Sequence, residues 1–312
     1  MFDVRSRSEL SEDLGPLGSP DPCLRDPSDQ DLQRAEGFCR IVLSGSAKGT
    51  RITDVVQRSP IRVMFPRTTG AAIEEAVLIN TAGGIAGGDR LQSHVTALAN
   101  ASIAVTSQAA EKVYRALNET ALVTTTLKVC DAAKLAWLPQ ETIVFNRARV
   151  SRKTEIELSS GAELLALDWL VLGRAAHGED MVGGHVTDSW RVRKDGRLIW
   201  ADSFRATHDV FPHLHRKALL SNSRAIGMLI YYGPDLDTRL EFLRHSARSL
   251  ECHFAATSVD GLIIFRFAAM VTSSLRIALC NLLQQCSQEF GPGPFRVPKM
   301  WSCSSPYEWK MP

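Results

Sequence analysis

A two-residue alternation of apolar and polar side chains runs through most of this chain, and it restricts the fold to one assembled from short β-strands. Successive side chains on a strand face opposite ways, so alternation buries one face and leaves the other to solvent. The pattern occurs at residues 40–43, at 51–57, and at 60–66, where Ile61, Val63 and Phe65 lie two apart. It returns at 121–129, at 142–145, and at Thr154, Ile156 and Leu158. Leu135 and Trp137 lead into Pro139, and Gly161 turns into an apolar run over 164–172. Asp195-Gly196 lies within 190–200 and Asp260-Gly261 within 250–267, each between strand-like segments. Asp-Gly adopts the positive φ angles of a tight hairpin turn, so two hairpins are predicted.

Two helices are predicted in the C-terminal third. One covers 237–249, with Leu240, Leu243 and Ala247 at helical spacing. The other covers 273–290, with Leu275, Leu279, Leu282, Leu283 and Cys286 on one face, and stops at Gly291-Pro292. The tail beyond reads as irregular. Strands and helices do not alternate as in an α/β enzyme, so a mainly β fold is expected. No internal repeat is visible, so period alone does not argue for a solenoid. Residues 1–36 are rich in Ser, Asp, Pro and Gly and poor in large apolar residues. They are expected to form a disordered or loosely packed extension ahead of a folded domain at 37–312.

The stretch NTAGGIAGGDRL, residues 80–91, packs Gly83, Gly84, Gly87, Gly88 and Asp89 between two apolar segments. A dinucleotide fingerprint must open a helix, but the residues after Leu91 alternate with a period of two. The stretch is therefore a sharply folded strand–loop–strand connection. Asp89 is placed to accept hydrogen bonds from turn amides or to present a carboxylate.

The 312 residues suffice for a sizeable core without staples. A formal net charge of +2 gives no reason to expect nucleic acid or an anionic membrane as partner. There is no run of eighteen apolar residues and no secretory h-region, and the seven cysteines contain no CxxC. Together these predict a cytoplasmic protein with reduced thiols.

No G-x-S-x-G, H-E-x-x-H or zinc-type spacing occurs. His208, His213 and His215 cluster in THDVFPHLHR. If His213 and His215 shared a strand face they could bind a metal, which would suit a β-rich metal-dependent hydrolase. Spacing alone does not supply a third ligand, so a polar loop is the simpler reading. Three polar stretches close off apolar segments: QAAEKVYR at 108–115, WLPQETIVF at 137–145 and GRAAHGE at 173–179.

Taken in order, NTAGGIAGGDRL, TSQAAEKVYR, LAWLPQETIVF, LVLGRAAHGE, the DSWRV…LIWAD hairpin and the late PKMW resemble the urease accessory protein UreD (UreH) family from about Gly37 to Trp301. The resemblance implies a β-rich fold of stacked sheets or a flattened β-helix with about two helices. It implies a maturation chaperone for nickel insertion rather than an enzyme. The implied partners are urease apoprotein, UreF and, through UreF, the GTPase UreG, in which GTP hydrolysis resides; a dimer within the accessory complex is compatible with this. No cofactor is expected to be tightly bound, and Ni²⁺ would pass transiently, along an internal tunnel. By motif, Asp89, Glu141 and Glu179 become candidates for the nickel path, with Lys112 and Arg115 orienting them. His177, His213 and His215 are candidates for weak contacts. Asn146 stands where the family often has Asp, which removes one carboxylate from any such path.

Overall fold

The computed structural model describes residues 33–66, 74–248, 252–291 and 293–302. The expected extension therefore lies, as far as residue 32, outside the described residues, and Glu36 already opens the first strand.

The chain moves back and forth between two sheets. β1 (Glu36–Ser46) and β2 (Gly49–Arg58) form an antiparallel hairpin in the first sheet, and β3 (Ile61–Met64) and β4 (Glu75–Asn80) begin the second. β5 (Arg90–Ala97) returns to the first sheet and β6 (Ser102–Ser107) to the second. After the short β7 (Glu111–Val113), β8 (Ala121–Val129) and β9 (Lys134–Leu138) repeat that excursion. After the short β10 (Thr142–Val144), β11 (Arg149–Leu158) and β12 (Glu163–Leu172) repeat it again. β13 (His185–Lys194) and β14 (Arg197–Thr207) close the first sheet with a hairpin. β15 (Ala225–Tyr232), β16 (His253–Val259) and β17 (Leu262–Ala269) extend the second, with α1 (Leu236–Ala247) between β15 and β16. α2 (Thr272–Glu289) and the short α3 (Lys299–Ser302) follow.

This winding is a β-solenoid-like coil. β1, β5, β8, β11 and β13 pair in parallel, as do β4, β6, β9 and β12. β7 and β10 form a narrow third row against the end of β12. The register stacks Val95, Leu127, Ile156 and Val192 in one buried column between the sheets. Each such side chain contributes about 1.5–3 kcal/mol by leaving water.

The second sheet is buried on both faces. Leu164, Ala166, Leu170 and Leu172 of β12 point toward the first sheet, whereas Leu165, Leu167, Trp169 and Val171 meet the helices. Burial on both faces is why 164–172 reads as a continuous apolar run. α2 lays Leu275, Leu279, Leu282, Leu283 and Cys286 on that outer face and ends at Gly291, whose φ of +76° suits the left-handed position after a helix.

Both Asp-Gly turns form as predicted, with φ of 49° and 80° at Asp195 and Gly196 and 47° and 80° at Asp260 and Gly261. Three local expectations are corrected. β15 was not anticipated, because AIGMLIYY is a short apolar run without two-residue alternation, even though Ser221-Asn222-Ser223 and Gly233-Pro234 flank it. The tail is not wholly irregular, since α3 seats Trp301 in the outer core. His213 closes a 3₁₀ turn, Phe211–His213, so His213 and His215 do not share a strand.

Candidate functional site: a divided chamber between the sheets

The glycine-rich loop joins β4 to β5. Gly88 has φ of +87°, and a Cβ on Gly87 would lie 2.6 Å from the Glu119 carbonyl oxygen and 2.7 Å from the Ala116 Cβ. The loop thus tucks beneath the 114–119 segment, where only glycine fits. The Asp89 carboxylate is buried, accepting one hydrogen bond from the Ala35 amide at 2.8 Å and another from the Ala86 amide at 2.7 Å. The loop opens into a strand, as expected, so no helix N-terminus is there to hold a phosphate. Gly87→Ala is expected to lower stability by about 1–3 kcal/mol, because a backbone carbonyl must move. Urea denaturation would show it, and an unchanged midpoint would refute it.

Three of the stretches singled out in the sequence converge on one cavity of about 380 Å³ between the sheets. Asn80, Gly83 and Ile85 come from the glycine loop, Gln108 to Val113 from the second stretch, and Trp137, Pro139, Gln140 and Thr142 from the third. Glu111 accepts hydrogen bonds from the Asn80 amide at 3.1 and 3.2 Å, and burial holds its carboxyl above the usual range. Gln140 donates to the Gln108 carbonyl at 2.7 Å and the Ser107 carbonyl at 3.2 Å. The buried Trp137 indole N–H meets no partner.

The inner wall of the cavity is an ion cluster. In the register, Leu91 and Val123 are followed by Arg152 and then Asp188, so charge replaces apolar side chains at core positions. Arg152 hydrogen-bonds Asp168, which projects inward from β12, and reaches Asp188 at 3.5 Å. The other Asp168 oxygen accepts the Trp169 amide at 2.8 Å, while Asp188 Oδ1 is buried without a partner. Asp168 also lines a second cavity of about 400 Å³, together with Asp188, Trp190, Asp202, Met228, His253 and Arg266. The cluster therefore stands between two cavities, the first and second chambers, each partly open to solvent. One guanidinium faces Asp168 and Asp188, with Glu111 close enough to add to the field. Burial pushes Asp168 up to about 6; Arg152 opposes the shift and Asp188 adds to it.

The expected path residues lie apart, and none of Asp89, Glu141 and Glu179 lines either chamber. Glu141 pairs with Arg276 of α2 at 2.6 Å, and Arg276 also donates to Gln140 at 2.8 Å and covers the Trp301 ring. Glu179 pairs with Arg174 at 3.0 Å, which lowers its pKa, and Arg174 stacks on Phe145. Lys112 and Arg115 are exposed, Lys112 at the edge of the first chamber. Asn146 accepts the Val182 amide. His177, His208, His213 and His215 are exposed, and among the described residues no group of three or more His, Cys, Asp and Glu is placed to hold a metal ion. The histidine-based hydrolase thus has no assembled site there.

Sequence reasoning passed over Arg152, Asp168 and Asp188. The signal was present, since Asp168 is the one charge inside the apolar run and Arg152 falls on the inward beat of an alternating strand. Charged side chains at such places are almost never left unpaired.

The chain matches the family described as UreD urease accessory protein over residues 35–302. It is similar to the urease accessory protein UreD of Xanthobacter autotrophicus, 39% identical over 270 residues covering 86% of this chain and 91% of the relative. The corresponding protein of a Methylobacterium species is 36% identical over 281 residues, 88% and 97% of the two chains. That of Azorhizobium caulinodans is 37% identical over 244 residues, 78% and 90%. Among the described residues no helix is long and apolar enough to cross a membrane.

Proposed function

The chain belongs to the UreD family of urease accessory proteins, and we propose that it serves urease maturation as a non-catalytic nickel-insertion chaperone. In this proposal it binds urease apoprotein and UreF, and UreF brings the GTPase UreG, which hydrolyses GTP. Nickel is cargo and not a resident cofactor. The observation that carries this reading is the convergence of three family-like stretches on a divided chamber holding more carboxylate than guanidinium. Oxygen donors that partly face a guanidinium bind a dication weakly enough to release it. We assign the waypoints to Glu111, Asp168 and Asp188. Asp89, Glu141 and Glu179 hold the surrounding loops through their amide and arginine partners.

The test is urease activation with and without this chain. The urease subunits and remaining accessory proteins are expressed together, nickel is supplied, and activity and nickel per active site are measured. Omission is expected to leave urease assembled and nickel-poor, with both values restored on adding the chain back. Glu111→Gln, which keeps the shape and the Asn80 contact, is expected to lower nickel loading several-fold while the chain still copurifies with its partners. Full loading without the chain would overturn the role, and full loading with Glu111→Gln would overturn the path.

A further inference from the structure

We propose that the open face of the first sheet is a docking surface for an acidic protein partner. Parallel strands normally have both faces covered. α1 and α2 cover the outer face of the second sheet, whereas among the described residues no helix packs on the outer face of the first. The residues alternating with the buried column point outward there, and they are strongly biased in charge. Arg90, Lys128, Arg149, Arg191, Arg193 and Arg205 occupy outward positions, and none joins an ion pair among the described residues. The carboxylates on the same face are already engaged: Asp54 with Arg40 at 2.9 Å, Glu155 with Lys153 at 2.7 Å, and Glu157 with the Gly196 amide at 2.7 Å. On a chain of net charge +2, this is a concentrated positive field. His94 and His185 lie within it. Burial first, and then Arg40 beside His94 and Arg149 and Arg205 beside His185, lower their pKa values.

The chemistry of the face favours protein over nucleic acid or lipid. Ser151, Thr187 and Ser189 supply neutral hydroxyls between the cations, which can both donate to and accept from a protein partner. Glu155 and Glu157 interrupt the cations mid-sheet, a patterned charge that suits the discrete carboxylates of a protein better than the evenly charged backbone of a nucleic acid. Base-stacking aromatics, the mark of single-strand binding, are missing from β5, β8, β11 and β13 apart from the inward Trp190. The inference goes beyond the role proposed above and rests on it only for the choice of probe.

The experiment uses the full chain, wild type and Arg191→Glu/Arg205→Glu, against urease apoprotein in a binding titration at rising NaCl. A 20-base-pair DNA duplex and phosphatidylserine vesicles are parallel arms. Both arginines are exposed, so unchanged thermal unfolding of the variant establishes that it folds. Wild-type binding to apoprotein is expected to weaken as salt screens the charges above about 0.15 M. The variant is expected to bind at least ten-fold more weakly at low salt and to lose most of that salt dependence. Equal binding by variant and wild type overturns the docking face and leaves the chaperone role standing. Salt-dependent capture of DNA or vesicles, lost in the variant, with apoprotein binding unaffected, assigns the face to that ligand and overturns the proposal. Absence of wild-type binding to apoprotein at any salt removes the scaffold reading itself, and this use of the face with it.

Discussion

Arg152→Met is expected to destabilise the protein by about 3–5 kcal/mol, because it strands Asp168 and Asp188 beside each other without their shared cation. Folded domains hold only about 5–15 kcal/mol, so the loss is large. The double variant Arg152→Met/Asp168→Leu is expected to recover part of it, since the more deeply buried carboxylate is gone while Asp188 still lacks its cation. Asp168 also makes the penalty depend on pH. Its folded pKa of about 6 lies above the ordinary carboxylate value, so the folded state binds this proton more tightly than the unfolded chain. That contribution to stability is complete below about pH 4 and is lost as pH rises through about 6. The Arg152→Met penalty should therefore be smaller at pH 5 than at pH 8. Urea denaturation across that range is the check. A single variant as stable as wild type at pH 8 would show that the cluster is not the buried ion network its geometry describes.

Trp301→Ala should cost about 3–5 kcal/mol as well, for a different reason. The indole is almost wholly buried against Trp169 and donates to the Leu138 carbonyl at 3.1 Å and to Thr106 at 3.3 Å. It also lies under the Arg276 guanidinium, which holds Gln140 and Glu141. Truncation empties a pocket in the outer core and loosens the turn between β9 and β10, on the wall of the first chamber. Trp301→Phe keeps most of the volume and should lose only about 1 kcal/mol with the hydrogen bond. Denaturation of the two variants separates the effects, and equal losses would show that the hydrogen bond, not the volume, matters.

Local features were legible where local physics decides them. The β8 segment follows from strict alternation, the two hairpins from Asp-Gly, and α2 from its apolar stripe and Gly291. The coil was not legible, because parallel neighbours are far apart in the chain and need share only the character of their inward residues. Val95, Leu127, Ile156 and Val192 form one column without any repeat of the sequence around them. The site divides in the same way. Its rim consists of stretches whose composition stands out, and those were found. Its inner wall is made where Arg152 and Asp168 meet across two sheets: each strand signals one charge at an inward place, but not which charge on the other sheet it meets. Likewise, Glu141 looked like a free carboxylate because Arg276 is 135 residues away.

α2, which covers the second sheet, begins at Thr272, after every strand of that sheet has been synthesised. Until α2 leaves the ribosome, Leu165, Leu167, Trp169 and Val171 form part of an uncovered apolar surface. From the completion of β12 at Leu172 until α2 is made, the nascent chain thus carries a sticky flank exposed to other chains, a state that favours aggregation. Codon-level slowing upstream of Thr272 would prolong that exposure, whereas faster completion of the C-terminal helix would shorten it. Yield of soluble protein is thereby tied to the timing of one helix as well as to the final strength of the fold.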